Sequence, residues 1–399
     1  MTNPYRALFN RPGTGTFVLA GLLARLPLPM TGIGIITLLA QLRGSYALAG
    51  AVSATFVLTY AVLSPRISRL VDRHGQRRVL PLAMMLSVTG TALLLLGTWL
   101  ELGDWSLFVG ALLVGFMPSL SAMVRARWTA LYRGQPLLQT AYSLETVLDE
   151  LTFIAGPPLS VGLCVTLFPQ AGPLMAALLL VAGVLALVMQ RIGEPALSTA
   201  GDQADGSLLR LAQVRLLTLL MVAMGVIVGT VDIVSVAFAA ERGQPSAASL
   251  VLAAYATGSC VAGLVFGALK LQQPLPRLLL LGGLATAATT LPLWLAGSLP
   301  ALAAAVLLAG VFFAPTLIVA MSLVERVVPP ARLTEGMTWL LAGLNVGVAA
   351  GAALSGQMLD AHGTQAGFAV ALGAAGLVLL AVWAGYRRAV VFIVPEMER

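Results

Sequence analysis

Ionisable side chains stand well inside two long apolar runs of the sequence: Arg25 in the first, and Glu145, Asp149 and Glu150 together in the fifth. A charge in such surroundings is costly unless it is paired, hydrated or used, so these residues are the first places to look for chemistry. A carboxylate can pair with a guanidinium or take up and release a proton, and either group can hold a solute of opposite charge. Glu145 and Asp149 are four residues apart and share a helical face that Gly156 and Ser160 extend. Glu150 points about 100° away. The expectation is that one acid pairs with Arg25 while the other exchanges protons or contacts a solute; the alternative is a fixed ion pair that only holds helices together. Counting about 1.5 Å per residue puts Arg25 and the Asp149/Glu150 pair at a similar depth in their runs. Asp232, late in the seventh run, reads equally as a solvated gate residue or a proton site.

The elements that carry these groups follow from composition. Of 399 residues, 59% are hydrophobic and 10% charged, against roughly 25% charged in a soluble domain. With a mean hydropathy of +0.94 over the whole length, the solvent for most of the chain is lipid. Apolar runs lie at 14–41, 47–68, 79–100, 105–127, 140–167, 172–190, 213–239, 247–269, 278–297, 300–323, 334–357 and 365–386. Runs of this length predict about twelve transmembrane α-helices and not a barrel, whose strands would show as alternating segments of roughly ten residues. The first run lacks a small-residue cleavage site and is expected to stay as an anchor. Cys164 and Cys260 read as small core residues, and His74 and His362 as loop residues with no ligand partner at metal spacing.

Basic residues cluster between the runs. The net charge of +7 therefore reads as membrane orientation and not as phosphate tracking, which excludes a nucleic-acid partner. Placing Arg6, Arg11, Arg66 to Arg78, Arg125, Arg127, Arg133, Arg191, Arg210, Arg215, Lys270, Arg277, Arg326, Arg332, Arg387, Arg388 and Arg399 in the cytoplasm leaves only Arg43 and Arg242 outside, with both termini inside. The longest polar segment, 191–212, contains Ser198, Thr199, Gly201, Asp202, Asp205 and Gly206 and separates two sets of six spans. The predicted organisation is an N-terminal six-helix bundle over 1–190, a cytoplasmic linker over 191–212 and a C-terminal six-helix bundle over 213–399. An offset of 195 residues aligns Tyr60 with Tyr255, Gly115 with Gly310, Gly156 with Gly351 and Ser160 with Ser355, which points to two related halves. The same offset sets Asn345 opposite Glu150 and makes it a cavity-facing or hydrogen-bonding candidate.

The loop after the second run reads Ser68-Arg69-Leu70-Val71-Asp72-Arg73-His74-Gly75-Gln76-Arg77-Arg78. Asp72 closes a helix, Gly75 permits a tight turn, and the arginines hold the loop inside and can pair with Asp72. This stretch resembles the signature Gly-x-Leu-Ala-Asp-Arg-x-Gly-Arg-Arg of the major facilitator superfamily, with Ser68 in place of the first glycine and with Asp72, Arg73, Gly75, Arg77 and Arg78 as the gating-loop motif. The glycine position of that signature lets a helix of the other half approach closely, and serine permits nearly the same contact. Gly156-Pro157-Pro158 is similar to the Gly-Pro helix-packing motif of the drug and metabolite exporters in that superfamily, which implies export. The arginine that many such exporters carry in the fourth span is absent from Ala111-Leu112-Leu113-Val114-Gly115.

The expected fold is an all-α membrane protein of two pseudo-symmetric six-helix bundles with a substrate cavity between them. The expected activity is proton-coupled export of a small amphipathic compound from a bacterial cell across its inner membrane, by a monomer that needs no cofactor and no metal. Uptake by the same fold is the alternative within the class, and a non-transporting receptor or scaffold is the alternative outside it. An enzyme is not expected, since no nucleophile with its base, His/Cys cluster, Gly-rich phosphate loop or appended soluble domain stands out in the sequence.

Overall fold

A computed structural model describes residues 4–195, 206–244, 247–269 and 273–393. The middle of the linker, with Ser198, Thr199, Gly201, Asp202 and Asp205, lies outside the described residues, as do Lys270 and Arg399. Among the described residues the chain is helical throughout, with no strand. A short helix α1 (Pro4–Leu8) precedes the first span, which is made of α2 (Thr14–Arg25) and α3 (Pro27–Arg43). The second and third spans are α4 (Tyr46–His74) and α5 (Gln76–Trp99), and the fourth is divided into α6 (Trp105–Val114) and α7 (Leu120–Tyr132). Next come α8 (Leu137–Thr166), α9 (Ala171–Met189), α10 (Ala212–Glu241), α11 (Ala247–Ala268) and α12 (Leu275–Leu295). The last three are α13 (Leu299–Val327), α14 (Leu333–His362) and α15 (Thr364–Ile393). Eleven of the described helical stretches are long and apolar enough to cross a bilayer, α2 and α3 counting as one. With the divided fourth span they make twelve.

That division corrects the reading of 105–127 as one helix. Pro118 has no N–H to donate, so the chain unwinds over Gly115–Ser119, closing with Phe116 N–H to Leu113 O at 3.1 Å and Met117 N–H to Val114 O at 3.0 Å. Past the break, α7 runs on to Tyr132. His74 and His362 are likewise the last residues of α4 and α14 and not loop residues.

The chain forms two compact units. The first holds Met1–Leu138, Leu148–Ala204 and Pro330–Thr338, the second Gln139–Val147, Asp205–Pro329 and Trp339–Arg399. Within each, the packing repeats. In the first unit, the first span packs on the second and sixth, the fourth on the second and third, and the third on the sixth. In the second, α10 meets α11 and α15, α13 meets α11 and α12, and α12 meets α15, which are the same partnerships six spans later.

The matched glycines explain why. A Cβ on Gly156 would lie 2.8 Å from Pro29 Cγ, and one on Gly351 would lie 2.3 Å from Val226 O, so the fifth and eleventh spans press on the first and seventh at corresponding points. Gly115 and Gly310 do the same: added Cβ atoms would stand 2.5 Å from Thr59 Cγ2 and 2.3 Å from Tyr255 O. Arg43 and Arg242 also correspond. Arg43 donates to Leu102 O at 2.6 Å and Arg242 to Gly297 O at 3.0 Å, the two acceptors again 195 positions apart. The structure is thus an all-α membrane protein with pseudo-symmetric helix bundles.

Candidate functional site

Asp149 of α8 lies between two guanidinium groups. Arg25 Nη1 is 2.9 Å from Oδ1 and Arg125 Nη1 is 2.8 Å from Oδ2, while the Ser121 hydroxyl donates to Oδ1 at 2.7 Å. The side chains of Arg25, Arg125 and Asp149 are 3%, 0% and 15% exposed, so this is an interior cluster and not a surface ion pair. Local structure puts each group in place. Arg25 is the last residue of α2, where its Nε also donates to Gly21 O at 3.1 Å, and Pro27 opens α3 at a position where a missing N–H costs nothing. Gly183 of α9 lets that helix press against α2 beside Arg25, since an added Cβ would lie 2.4 Å from the Ala24 backbone. Ser121 and Arg125 are one helical turn apart on α7 and so reach the same carboxylate.

Sequence reasoning missed Arg125. Arg125 and Arg127 are not loop charges that orient the chain, because both are fully buried within α7. The signal was available: Val124, Ala126 and Trp128 alternate with them, and the run continues to Tyr132 before Gly134 ends it. An arginine lacking from residues 111–115 is thus present ten residues further along the same span. Two positions apart, the arginines point roughly 160° away from each other. Arg127 turns toward the C-terminus of α9, donating to Leu187 O at 2.9 Å and Gln190 O at 3.2 Å, with Nε on Gln76 Oε1 at 2.8 Å. A cation there meets carbonyls that the helix leaves without partners.

The loop motif forms a second cluster. Gly75 has φ 86°, which ends α4 and starts α5 in one residue. Asp72 accepts from the backbone N–H groups of Thr334 at 3.3 Å and Glu335 at 2.9 Å, the second and third residues of α14. A carboxylate there satisfies two unpaired donors and the positive end of the helix dipole. Ser68 is buried, and its hydroxyl meets Thr338 Oγ1 at 2.7 Å, a bond a glycine could not make. Arg332 clamps Glu335 through Nε to Oε2 at 2.9 Å and Nη2 to Oε1 at 2.9 Å. Arg77 stands 3.4 Å from Glu194, Arg73 is half-buried, and Arg78 is exposed.

Glu145 is fully buried, and its segment, Gln139–Val147, groups with the second unit. Glu150 is half-buried next to Asp149, Asp232 is exposed on α10, and Asn345 is half-buried on α14. Gly156 and Pro157 sit inside α8, which continues unbroken through Pro157 and Pro158, and Ser160 donates to Met30 O at 3.0 Å one turn beyond Gly156.

Twelve apolar spans in repeated packing, with charged clusters buried at two places, define a multi-pass membrane transporter. The sequence profile of the Major Facilitator Superfamily matches residues 17–243 and 217–392, and the chain belongs to that family. It is a secondary transporter of a small molecule and not an enzyme. No curated protein sequence matches the chain. Among solved structures it is similar to the human organic anion transporter MFSD10 (TETRAN), at 18% identity and a TM-score of 0.68, covering 92% of this chain and 97% of that one. It is also similar to the E. coli fucose:proton symporter FucP, at 15% identity and a TM-score of 0.70, with 94% and 99% covered. A bacterial homologue of the iron transporter ferroportin in its outward-facing state gives 15% identity and a TM-score of 0.72, with 94% and 99% covered. At these identities the likeness is one of fold.

Proposed function

We propose that this transporter exports a small amphipathic compound in exchange for protons, by alternating access, across the inner membrane of a bacterium. In this reading it works as a monomer with both termini in the cytoplasm and with halves 1–190 and 213–399 joined by 191–212. The observation that carries it is Asp149 held between Arg25 and Arg125, with Glu150 next in the chain. Counted over Arg25, Arg125 and Asp149 alone the formal charge is +1, and in an interior of low dielectric the energy of such a group of charges depends strongly on each added or removed proton. Glu150 is the fourth charge. Ionised, it brings the sum to zero; protonated, it leaves the cluster cationic. A proton and a solute can then be bound in alternation, because each changes the electrostatic cost of the other.

Asp149 accepts from three donors, and Glu150, half-buried and one residue further along α8, is the acid assigned to carry the proton. Asp72 on the first turn of α14 is the gating contact: a bond between two surface helix ends can open and close without unpacking a core. Export is supported by the resemblance of Gly156-Pro157 to the exporters' motif. The fold itself serves an organic anion transporter, a fucose:proton symporter and an iron-transporter homologue, so cargo and direction rest on the residues and not on the fold.

The test begins with a thermal-shift screen of metabolites and antibiotics at two pH values, which finds a ligand through its stabilisation of the folded state. Proteoliposomes with an imposed pH gradient then compare wild type with Glu150→Gln. The variant should lose gradient-driven accumulation while still binding the ligand, with much less pH dependence. Uphill transport by Glu150→Gln at the wild-type rate would refute the assignment and move the proton site to Asp149 or Asp232.

A further inference from the structure

The second unit has an apolar groove of about 560 Å³ between α11, α12 and α13. It begins where α11 and α13 touch, with Gly258 against Leu307 O and Gly310 against Tyr255 O. From there it runs along α11 to Leu269 and along α13 to Val319, with Leu278 to Gly282 of α12 on the third side. The one hydroxyl in the lining, that of Thr257, already donates to Ala253 O at 2.7 Å. A polar solute would find nothing to bond there, so the occupant is a hydrocarbon. From Thr257 to Leu269 is about 18 Å at the α-helical rise, close to the depth of one leaflet of a core roughly 30 Å thick. Val261, Val265 and Leu281 are each more than half exposed, so the groove is open along its length.

What lies at its end identifies the rest of the molecule. Arg277 immediately precedes Leu278 and is one turn from Leu281 on α12, while Arg326 is seven residues beyond Val319 and on the same stripe of α13. Both are exposed; Arg277 Nη1 makes one long bond to Gln273 Oε1 at 3.3 Å, and Glu325 is half-buried beside Arg326. We infer that this groove is a site for one anionic phospholipid, an acyl chain lying against α11, α12 and α13 and the headgroup phosphate held by Arg277 and Arg326. Arg277 adjoins the lining at Leu278 and Arg326 lies about 10 Å beyond Val319 along α13, both toward the same end of the groove, and an anionic headgroup supplies the complementary charge. The inference rests on the membrane-spanning fold alone and stands whether or not protons drive transport.

The test uses the full chain in phosphatidylcholine nanodiscs carrying phosphatidylglycerol with a photoreactive group near the end of one chain. Crosslinks should concentrate in peptides covering 257–269 and 307–319, saturate, and be competed by unlabelled phosphatidylglycerol but not by phosphatidylcholine. Ala262→Phe fills the groove and should remove that labelling while leaving general labelling of other helices. Arg277→Gln with Arg326→Gln changes only exposed side chains, so the protein should still fold, and it should lower the preference for phosphatidylglycerol by roughly thirtyfold. Unsaturable labelling, equal for matched phosphatidylcholine and phosphatidylglycerol probes, would mean ordinary boundary lipid and overturn the site. So would displacement of the probe by the transported solute but not by phosphatidylglycerol.

Discussion

Replacing Asp149 with asparagine keeps its shape and removes one charge, which isolates what the carboxylate does. In the structure it receives Arg25 at 2.9 Å, Arg125 at 2.8 Å and Ser121 at 2.7 Å. Asparagine can accept through one oxygen only, and its NH₂ would face a guanidinium. Two cations at 3% and 0% exposure would then lack their anion. Breaking a buried pair by removing one partner costs about 3–5 kcal/mol, against a total stability of roughly 5–15 kcal/mol. At 1.4 kcal/mol per decade, even the lower figure is about a hundredfold in the folded-to-unfolded ratio. Thermal unfolding of purified protein and the yield of monodisperse material should both fall sharply. The triple variant Arg25→Met, Arg125→Met, Asp149→Leu, which removes both buried cations together with their shared anion, should recover most of that loss. If Asp149→Asn unfolds within about 1 kcal/mol of wild type, or the triple variant is worse than the single one, the cluster is hydrated and the account of it is wrong.

Asp72→Asn should insert and fold normally but lose about 1 kcal/mol of charge-to-helix interaction, shifting the balance of inward- and outward-facing states in cysteine accessibility or hydrogen exchange; unchanged populations would count against gating. Gly351→Ala should destabilise more than Gly156→Ala, since one Cβ meets a backbone oxygen at 2.3 Å and the other a proline ring carbon at 2.8 Å. Melting temperatures decide it, with a cost of about 1–3 kcal/mol expected for overpacking. For orientation, single cysteines at the exposed Gly103 and Gly297 should react with an impermeant thiol reagent added to intact cells, and one at the exposed Gln135 should not; the reverse pattern would invert the topology.

Much of the architecture is legible in the amino-acid sequence itself. Unbroken apolar runs require lipid as solvent and helices as elements, because only a helix satisfies its own backbone within one segment. The constant offset of 195 marks positions that the structure uses alike in both units, notably Gly156 with Gly351 and Gly115 with Gly310. Asp72 and Gly75 read as a helix end and turn from residue type alone. These are local or periodic properties, and a linear sequence carries them openly.

What stays hidden there depends on partners distant in the chain. That Asp149 holds Arg25 is a contact across 124 residues, and that Asp72 caps α14 is one across 262 and 263. Sequence can name the acids but cannot rank them, since neighbouring residues on a helix differ only in direction until something packs against them. Arg125 and Arg127 look like cytoplasmic charges because arginine near the end of an apolar run is ordinarily solvated. Only tertiary structure supplies a carboxylate for one and the open carbonyls of α9 for the other, and a buried guanidinium is tolerable only where such partners already stand.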